Sequence, residues 1–302
     1  MNIPIYSICV SNYNMGDTIE KAMSSVLDQL DDRFEVLVVD DGSTDDSLLK
    51  MKMLAEKYAN FIYLPLERDP NRKLGENWNY CIRQSKGKYV LLHVDTDDEW
   101  EPYILDFVTI FHKIEKCVNK NFLLMGQQLM IANKDFLITY GPYKNIARAQ
   151  DRDMIRRIAA NDDLIPLDHM VFRTRMLRPS KIQFFKSLRD MWLRIIFDMR
   201  TVSHAENYIL SCLKSIFINK TKNFSFKVRV LRALMVFPAF FVSKKYEPLM
   251  YPDNMATHND FAKYFEENRG SFSEIMRRHG CDPDLSFLCK EAQQIFKTKE
   301  GI

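Results

Sequence analysis

An acidic cluster follows an apolar run in the segment LLHVDTDDEWEP, which starts at Leu91. Five carboxylates fall within seven residues there: Asp95, Asp97, Asp98, Glu99 and Glu101. Two like charges about 4 Å apart repel by roughly 1 kcal/mol in water and by about 4 kcal/mol at the lower effective dielectric of a protein surface. The pattern therefore predicts either a solvated turn, where the repulsion is small, or a set of carboxylates placed to hold a cation.

The first half of the chain alternates between two kinds of apolar pattern. Four uninterrupted apolar runs cover residues 6–10, 34–39, 61–64 and 89–94. Apolar residues at helical spacing follow in three places, from position 17, over 48–55 and over 74–84. Uninterrupted runs are typical of strands buried on both faces, and alternation of strands with helices indicates a parallel sheet. The sequence predicts an α/β fold in which helices wrap a mostly parallel sheet.

Three of the predicted strands end in polar motifs: Ser11-Asn12, Asp40-Asp41-Gly42-Ser43 and Asp95-Thr96-Asp97-Asp98. Ligands of open α/β sheets bind beyond the carboxyl ends of the strands, so these motifs are predicted to converge on one site. No strand is followed by GxGxxG or GxxxxGK[ST], the usual phosphate-binding loops. Mg²⁺ typically binds one or two carboxylates together with phosphate oxygens, which favours a cation site at the acidic cluster.

Four segments occur in a recognisable order: YSICVSNYN, FEVLVVDDGSTDDS, GKYVLLHVDTDDEWEP and AQDRDMIRRI. Together they resemble the family-2 inverting glycosyltransferases with the GT-A fold. The resemblance covers roughly residues 3–175 and does not extend over 177–302. It implies a GT-A type, Rossmann-like, mostly parallel sheet flanked by helices, and the helical patterns beyond it predict an α-helical C-terminal extension.

The resemblance assigns the first two motifs to a nucleotide-diphosphate sugar donor. Ser11 and Asn12 match the first-strand end of the family, near the nucleotide base. Asp41 would hydrogen-bond the base or the ribose, and its alternative role is to cap the turn. Lys73 lies where the family often offers a basic side chain to the nucleotide. Arg72 is an equal candidate, and for both residues the alternative is a solvated surface charge.

Asp95-Thr96-Asp97 resembles the Asp-x-Asp motif of the family. The resemblance implies that Asp95 approaches the ribose or sugar, and that Asp97 and Asp95 ligate a Mn²⁺ or Mg²⁺ ion that bridges the diphosphate. Asp98 would orient the loop or touch the sugar. Glu99 and Glu101 are interpreted as solvated acids at a helix start. The sequence departs from the family in one respect: the spacing before Asp95 is about one residue longer than the commonest spacing.

Gln150-Asp151-Arg152-Asp153 resembles the Glu-Asp pair of the family, with glutamine in place of glutamate. Asp151 then occupies the position of the catalytic base, at the first turn of a helix, and its alternative role is an N-cap. Asp153 is a weaker candidate, interpreted as a helix-start acid or a partner for Arg156 or Arg157. His169 is a further weak candidate that could face the diphosphate or the metal.

The resemblance implies a single in-line displacement at the anomeric carbon, with inversion. A phosphate acceptor is already ionised and needs no base, so a base at Asp151 favours a hydroxyl acceptor on a lipid-linked or polysaccharide glycan. The donor would be a UDP- or GDP-sugar. The alternatives are a polyprenyl-phosphate glycosyltransferase and a non-catalytic nucleotide-sugar-binding or membrane scaffold protein. A sugar-nucleotide pyrophosphorylase is disfavoured. That class needs a loop rich in glycine and basic residues after the first strand, and SNYNMGDT does not supply one.

The second half of the chain is strongly basic. Residues 171–245 carry 16 lysines and arginines against three acidic residues, whereas the whole chain has a net charge of only +3. Helical patterns with aromatic residues cover 180–199, 208–218 and 224–241 in this region. Basic, aromatic, amphipathic helices are typical of contact with an anionic membrane, although packing on the catalytic domain is the alternative. No nucleic-acid motif is present, so we expect no nucleic-acid partner.

These patterns predict three segments: a GT-A catalytic domain at 1–178, membrane-interfacial helices at 179–245 and a short helical tail at 246–302. The six cysteines show no metal-binding spacing and are expected to be reduced, packed thiols. The N-terminus lacks the pattern of a secretory signal. We therefore expect a cytoplasmic protein, peripherally associated with the inner face of the cell membrane.

Overall fold

The structure is a computed structural model that describes residues 3–168, 173–176, 183–201, 209–210, 212–214, 226–255, 258–288 and 293. Its packing divides the chain into two compact units. The first unit comprises Met1–Asn145, Asn161–Leu177 and Glu267–Ile302, and the second comprises Ile146–Ala160 and Arg178–Glu266. This division concerns packing alone, so the functional boundaries at 178 and 245 stay predictions.

The first unit is built on a seven-stranded sheet. Its strands are β1 (Tyr6–Asn12), β2 (Phe34–Asp40), β3 (Phe61–Pro65), β4 (Tyr89–Asp95), β6 (Leu123–Met125), β7 (Met130–Asn133) and β8 (Leu164–Pro166). Their order across the sheet is β3-β2-β1-β4-β7-β6-β8. Only β7 runs antiparallel to its neighbours β4 and β6. A separate two-stranded ribbon joins β5 (Asp98–Trp100) to β9 (Arg173–Arg175). The predicted α/β class and mostly parallel sheet are confirmed.

The helices of the described residues follow the predicted alternation. They are α1 (Gly16–Leu27), α2 (Ser47–Lys57), α3 (Leu74–Gln84), α4 (Ile104–Val118), α5 (Lys134–Thr139), α6 (Gln150–Ala159), α7 (Gln183–Thr201), α8 (Phe226–Ser243), α9 (His258–Asn268) and α10 (Phe272–Arg278). Every residue of β2 is buried, as expected for a strand covered on both faces. The apolar faces of α1 and α4 join the central strands in one core cluster.

Strand β4 has one extra residue, a bulge, in the stretch that pairs with its neighbour β1. Residues 8–10 of β1 lie opposite residues 91–94 of β4, so two steps on one strand correspond to three on the other. His93 falls in this bulge with a left-handed φ of +66°. Beyond the bulge, Asp95 is in register with Ser11. The extra residue found before the Asp-x-Asp motif is therefore absorbed within β4, and Asp95 still ends the strand.

Aromatic packing holds the bulge in place. The ring of Trp78 lies 4.5 Å from that of His93 and 5.0 Å from that of Tyr143, measured between centroids. The Tyr143 hydroxyl is 3.4 Å from Nε2 of His93. Asn79 fixes Tyr143 in turn, because its side-chain amide donates to the Tyr143 carbonyl and accepts from the Tyr143 N–H, both at 2.8 Å. The bulge thus depends on packing from α3 and from the loop after α5.

The left-handed backbone at His93 gives a stability prediction. Asparagine tolerates this conformation, whereas a β-branched residue does not. Both His93→Asn and His93→Val remove the imidazole ring, so the two variants differ mainly in backbone strain. We expect His93→Val to be less stable than His93→Asn by about 1–2 kcal/mol in urea unfolding. Equal unfolding midpoints would contradict a left-handed residue 93.

The expectation that all six cysteines are reduced is wrong for two of them. Cys117 at the end of α4 and Cys281 after α10 form a disulfide. Cys9, Cys81 and Cys212 are buried free thiols, as predicted for packed cysteines. The bond joins residues 164 positions apart, so sequence spacing gave no sign of the pair. Within the first unit, the bond joins the end of α4 to the segment that follows α10.

The second unit is helical in its described residues. Helices α7 and α8 pack through buried apolar residues, with Ile195, Ile196 and Met199 on one helix and Val236 and Ala239 on the other. The predicted helices at 180–199 and 224–241 are confirmed over their described residues. Most of the predicted helix at 208–218 lies outside the described residues. Within the described part of the chain, no helix is both long and apolar enough to cross a bilayer.

Candidate functional site

The polar motifs of three strands meet at the carboxyl edge of the sheet. Strand β1 lies between β2 and β4, and its register places Ser11 beside Asp95 and Asn12 beside Asp40. The backbone N–H of Asp41 donates to the Asn12 carbonyl at 2.9 Å. The predicted convergence of the three motifs is therefore present in the fold, because parallel strands that are adjacent in the sheet end on the same side.

Asn12 braces the loop that follows β2. Its side-chain nitrogen donates to Asp40 Oδ1 at 2.8 Å and to Ser43 Oγ at 3.3 Å. The residue is 1% exposed, and its amide oxygen has no hydrogen-bond partner among the described residues. Ser11 is half-buried, and its hydroxyl accepts from Asn77 Nδ2 at 3.2 Å. Both predicted residues thus lie at the carboxyl edge, with Asn12 supporting the loop and Ser11 closer to solvent.

Asp41 is a buried carboxylate held by two arginines. It is 5% exposed and forms ion pairs with Arg68 and Arg72. The Nε of Arg72 lies 2.8 Å from Asp41 Oδ1. The loop that Asp41 begins needs glycine at position 42, where φ is +71° and a Cβ would lie 2.6 Å from the Arg68 backbone nitrogen. The charge of Asp41 is therefore compensated inside the first unit.

Arg68 pairs with Asp41 and Tyr13 contacts Arg68, although neither Arg68 nor Tyr13 was selected as a candidate site residue from the sequence. The Arg68 guanidinium lies 4.3 Å from the centroid of the Tyr13 ring, and both side chains are about two-fifths exposed. Arg68 follows β3, so the rule that ligands bind beyond strand ends would have selected it. Of the two basic candidates on this loop, Arg72 contacts Asp41. Lys73 instead donates from Nζ to the Pro70 carbonyl at 2.7 Å.

Three aspartates of the acidic cluster lie close together in the structure. One carboxylate oxygen from each of Asp95, Asp97 and Asp98 lies within 4.8 Å of the others. Asp95 and Asp97 are half-buried, whereas Asp98 is fully buried. Carboxylate oxygens are the donors that hard divalent cations such as Mg²⁺ and Mn²⁺ prefer. The donor set therefore fits the divalent ion expected from the sequence.

Hydrogen bonds from two other segments hold the loop that carries the aspartates. The Thr18 hydroxyl on α1 donates to the Thr96 carbonyl at 2.8 Å, and the Met176 N–H donates to the Asp97 carbonyl at 2.9 Å. Asp98 opens β5 and forms an ion pair with Arg173 on the partner strand β9. Asp98 therefore connects this loop to the ribbon, and its two expected roles, to orient the loop or to touch the sugar, stay predictions.

Glu99 points away from this arrangement. Its carboxylate pairs with Lys21 Nζ at 2.7 Å, and both side chains are more than two-fifths exposed. An exposed pair of this kind contributes little to stability. The prediction that Glu99 is a solvated acid is confirmed, although the residue lies in a short strand and not at a helix start.

The pair between Asp98 and Arg173 gives a second prediction. Removing the arginine would leave a buried carboxylate without its counter-charge, which costs about 3–5 kcal/mol. We expect Arg173→Met to lower the free energy of unfolding by about that amount, and Asp98→Asn to restore part of it in the same background. The matched control is Arg33→Met, because the Arg33–Asp31 pair is exposed and should contribute below about 1 kcal/mol. Equal losses in the two arginine variants would contradict this role of Arg173.

Asp151 lies in the second unit, one residue inside the start of α6. The N-cap of this helix is Ala149, with a φ of +66°, so the alternative that Asp151 is the N-cap is wrong. The residue is half-buried, and none of the described residues forms a hydrogen bond or ion pair with its carboxylate. Burial and Arg152 lower the pKa of Arg194, a basic residue that interacts electrostatically with Asp151.

Asp153 is fully buried and held by two partners on the same unit. The Tyr251 hydroxyl donates to its Oδ1 at 2.6 Å, and Arg157 forms an ion pair with its Oδ2 at 3.0 Å. The predicted pairing with Arg157 is confirmed. Burial and the neighbouring Asp153 raise the pKa of Tyr251, so its hydroxyl stays protonated and remains a donor. Asp153 thus stabilises α6.

The other weak candidate, His169, lies outside the described residues.

Comparison with known proteins relates the part of the chain that carries Asp41, Asp95 and Asp97 to a known family. Residues 7–119 match the model described as glycosyl transferase family 2. Those residues are a family 2 glycosyltransferase domain. A chondroitin synthase from Escherichia coli is 35% identical over 100 residues, which are 33% of this chain and 14% of that protein. The chain spans between 14% and 48% of the first three curated relatives it matches.

Solved structures agree with the family 2 domain in fold. S. aureus TarS 1–349 in complex with UDP-GlcNAc has a TM-score of 0.52 at 15% identity, covering 91% of this chain and 92% of that one. The mannosyltransferase PcManGT from Pyrobaculum calidifontis, in complex with GDP-Man and Mn²⁺, has a TM-score of 0.50 at 15% identity, covering 92% and 86%. The predicted GT-A fold with a helical C-terminal region is confirmed.

Proposed function

We propose that this protein is an inverting glycosyltransferase that moves a sugar from a UDP- or GDP-sugar to a hydroxyl of a lipid-linked or polysaccharide acceptor. The observation that carries the proposal is the position of Asp95 and Asp97 at the carboxyl edge of a family 2 domain, next to the Asp41 loop. A nucleoside diphosphate needs a contact for its base or ribose and compensation for its phosphate charge. This edge offers groups suited to both.

Asp41, Ser11 and Asn12 form the nucleoside side of the proposed site. The unpaired amide oxygen of Asn12 and the half-buried hydroxyl of Ser11 are polar groups beside this loop. Arg68 and Arg72 already neutralise Asp41, so a base or ribose would meet a preformed, charge-compensated surface. Preformed polar groups reduce the cost of ordering the site on binding.

Asp95 and Asp97 are the proposed ligands of Mn²⁺ or Mg²⁺. When bound, such an ion acts as a Lewis acid that offsets the charge developing on the departing diphosphate. The support is the three-aspartate cluster together with the Mn²⁺ in PcManGT. Asp98 lies in the same cluster but is occupied by Arg173, so its proposed role is to hold the loop.

Asp151 is the proposed general base. A general base must stay ionised near neutral pH and reach the proton of the acceptor hydroxyl. The support is a half-buried carboxylate at the positive end of α6, with no pairing partner among the described residues. The proton removed from the acceptor passes to this carboxylate, the acceptor oxygen forms the new bond at the anomeric carbon, and the bond from that carbon to the diphosphate oxygen breaks, releasing the nucleoside diphosphate.

The proposed setting is the inner face of the cell membrane, with the protein in the cytoplasm. The basic excess in residues 171–245 supports a peripheral contact with anionic lipids. A lipid-linked acceptor would then be within reach of the enzyme. These statements of location and acceptor are part of the proposal.

Donor binding tests the proposal. We expect calorimetric titration of UDP- and GDP-sugars to show binding of one nucleotide class with Mn²⁺ and at least about 100-fold weaker binding with chelator. Asp97→Ala should weaken donor binding to a similar degree even with Mn²⁺. The control is Glu99→Ala in the same segment, which should bind as the wild type does. Binding that is the same with metal and with chelator would contradict a metal-bridged diphosphate.

Asp151→Asn separates binding from turnover. The amide keeps the shape of the side chain but cannot accept the acceptor proton, so turnover should fall by about 10²–10⁴-fold. Donor affinity in calorimetry should stay unchanged. The control is Asp17→Asn, an exposed aspartate in the first turn of α1, which should leave turnover unaltered. Retained turnover in Asp151→Asn would assign the base to another residue.

A further inference from the structure

Helix α8 presents an apolar face to solvent. Phe226, Leu234, Phe237 and Phe241 are between 52% and 69% exposed. Their spacing places them within one narrow sector of the helix surface. Four large apolar side chains aligned on one exposed face form a patch of the kind that marks an interaction site, whereas scattered ones would not.

The opposite face of α8 is used within the second unit. Val236 and Ala239 are 0% exposed, and they lie on the side of the helix that faces away from the exposed phenylalanines. Ile195 and Met199 of α7 pack in the same cluster and are also buried. The apolar residues of α7 that suggested membrane contact in the sequence therefore serve helix packing at these positions. The outward face of α8 takes no part in this packing, because its large apolar residues are exposed.

Positive charge lies at both ends of this apolar face. Lys227 is exposed near the start of α8, and Lys244 and Lys245 are exposed just after its end. No acidic residue occurs between positions 226 and 246. Arg232 is directed elsewhere, because it pairs with Asp198 on α7. The face is thus apolar in its middle, with lysines at its two ends.

We propose that the outward face of α8 docks on an anionic lipid bilayer, with the helix lying in the plane of the membrane. The exposed residues span positions 226–241, about 22 Å along the helix at 1.5 Å per residue. An interfacial helix inserts its apolar face among the acyl chains and keeps its basic residues at the lipid headgroups. The phenylalanines and Leu234 take the first role, and the three lysines take the second.

Charge also decides between a membrane and a second copy of this chain. In a symmetric dimer the same face meets itself, so the lysines of one copy would approach those of the other. The nearest acidic residue, Glu247 just beyond the segment, offers one carboxylate to compensate three lysines. An anionic leaflet supplies that compensation, at about a fivefold gain in binding for each lysine near the surface. The face is therefore better matched to a lipid surface than to itself.

The biological role of this docking rests on the proposed function, because docking would hold the enzyme beside a lipid-linked acceptor. Its physical basis is independent, because vesicle binding requires no sugar transfer. Transfer to a soluble acceptor with no vesicle binding would contradict the docking surface alone. Vesicle binding without any donor binding would contradict the proposed function alone.

The test is co-sedimentation of the full chain with vesicles. We expect binding to phosphatidylcholine vesicles that contain about a third phosphatidylglycerol, and weak binding to pure phosphatidylcholine. The double variant Phe237→Asn/Phe241→Asn should lower the partition coefficient at least tenfold. Leu49→Asn is the matched control, because Leu49 is a helix residue of similar exposure, 62%, on α2. Its partition coefficient should equal that of the wild type.

A second pair of variants tests the charge. Lys244→Glu/Lys245→Glu should reduce binding to anionic vesicles at low salt, whereas Lys52→Glu on α2 should not. These lysines are exposed, so folding should be unaffected, and circular dichroism checks that it is. Wild-type binding by the Phe237→Asn/Phe241→Asn variant would overturn the proposal. So would a dimer in sedimentation equilibrium that this variant dissociates, because a second copy would then cover the face.

Discussion

Repulsion among carboxylates at the carboxyl edge of the sheet is the constraint on which this structure depends. The fold compensates several of these charges with its own cations. Arg68 and Arg72 pair with Asp41, Arg173 pairs with the buried Asp98, and these pairs also fix the loops that carry the acids. Asp95 and Asp97 form, with Asp98, a three-aspartate cluster whose oxygens suit a divalent cation. The same requirement for positive charge thus shapes the loops and defines where the proposed metal binds.

The bulge in β4 shows how the core positions this edge. A left-handed residue within a strand is unfavourable by itself, and here the rings of Trp78 and Tyr143 pack against His93. Because the bulge absorbs one residue, Asp95 stays beside Ser11 despite the longer spacing. The position of the acidic cluster therefore depends on aromatic packing in the interior as well as on charge.

Much of the first unit could be predicted from the sequence, because buried parallel strands and amphipathic helices leave strong local patterns. Helix α3 occupies the predicted residues 74–84, and the strands at Phe34 and Phe61 extend one residue beyond prediction. The ribbon of β5 and β9 and the Cys117–Cys281 bond were not predictable, because they join distant segments without a local signal. Arg68 follows β3 and could have been selected as a site residue by the strand-end rule, but its pairing with Asp41 depends on the fold.

The most direct test of the account is an anomalous diffraction map of crystals grown with Mn²⁺ and a nucleoside diphosphate. Manganese scatters anomalously, so the map locates the ion independently of any assumed site. The account predicts a peak within bonding distance of carboxylate oxygens of Asp97 and Asp95, with the diphosphate bound to the same ion. A bound diphosphate with no manganese peak at these aspartates, or a peak held by other residues, would contradict it.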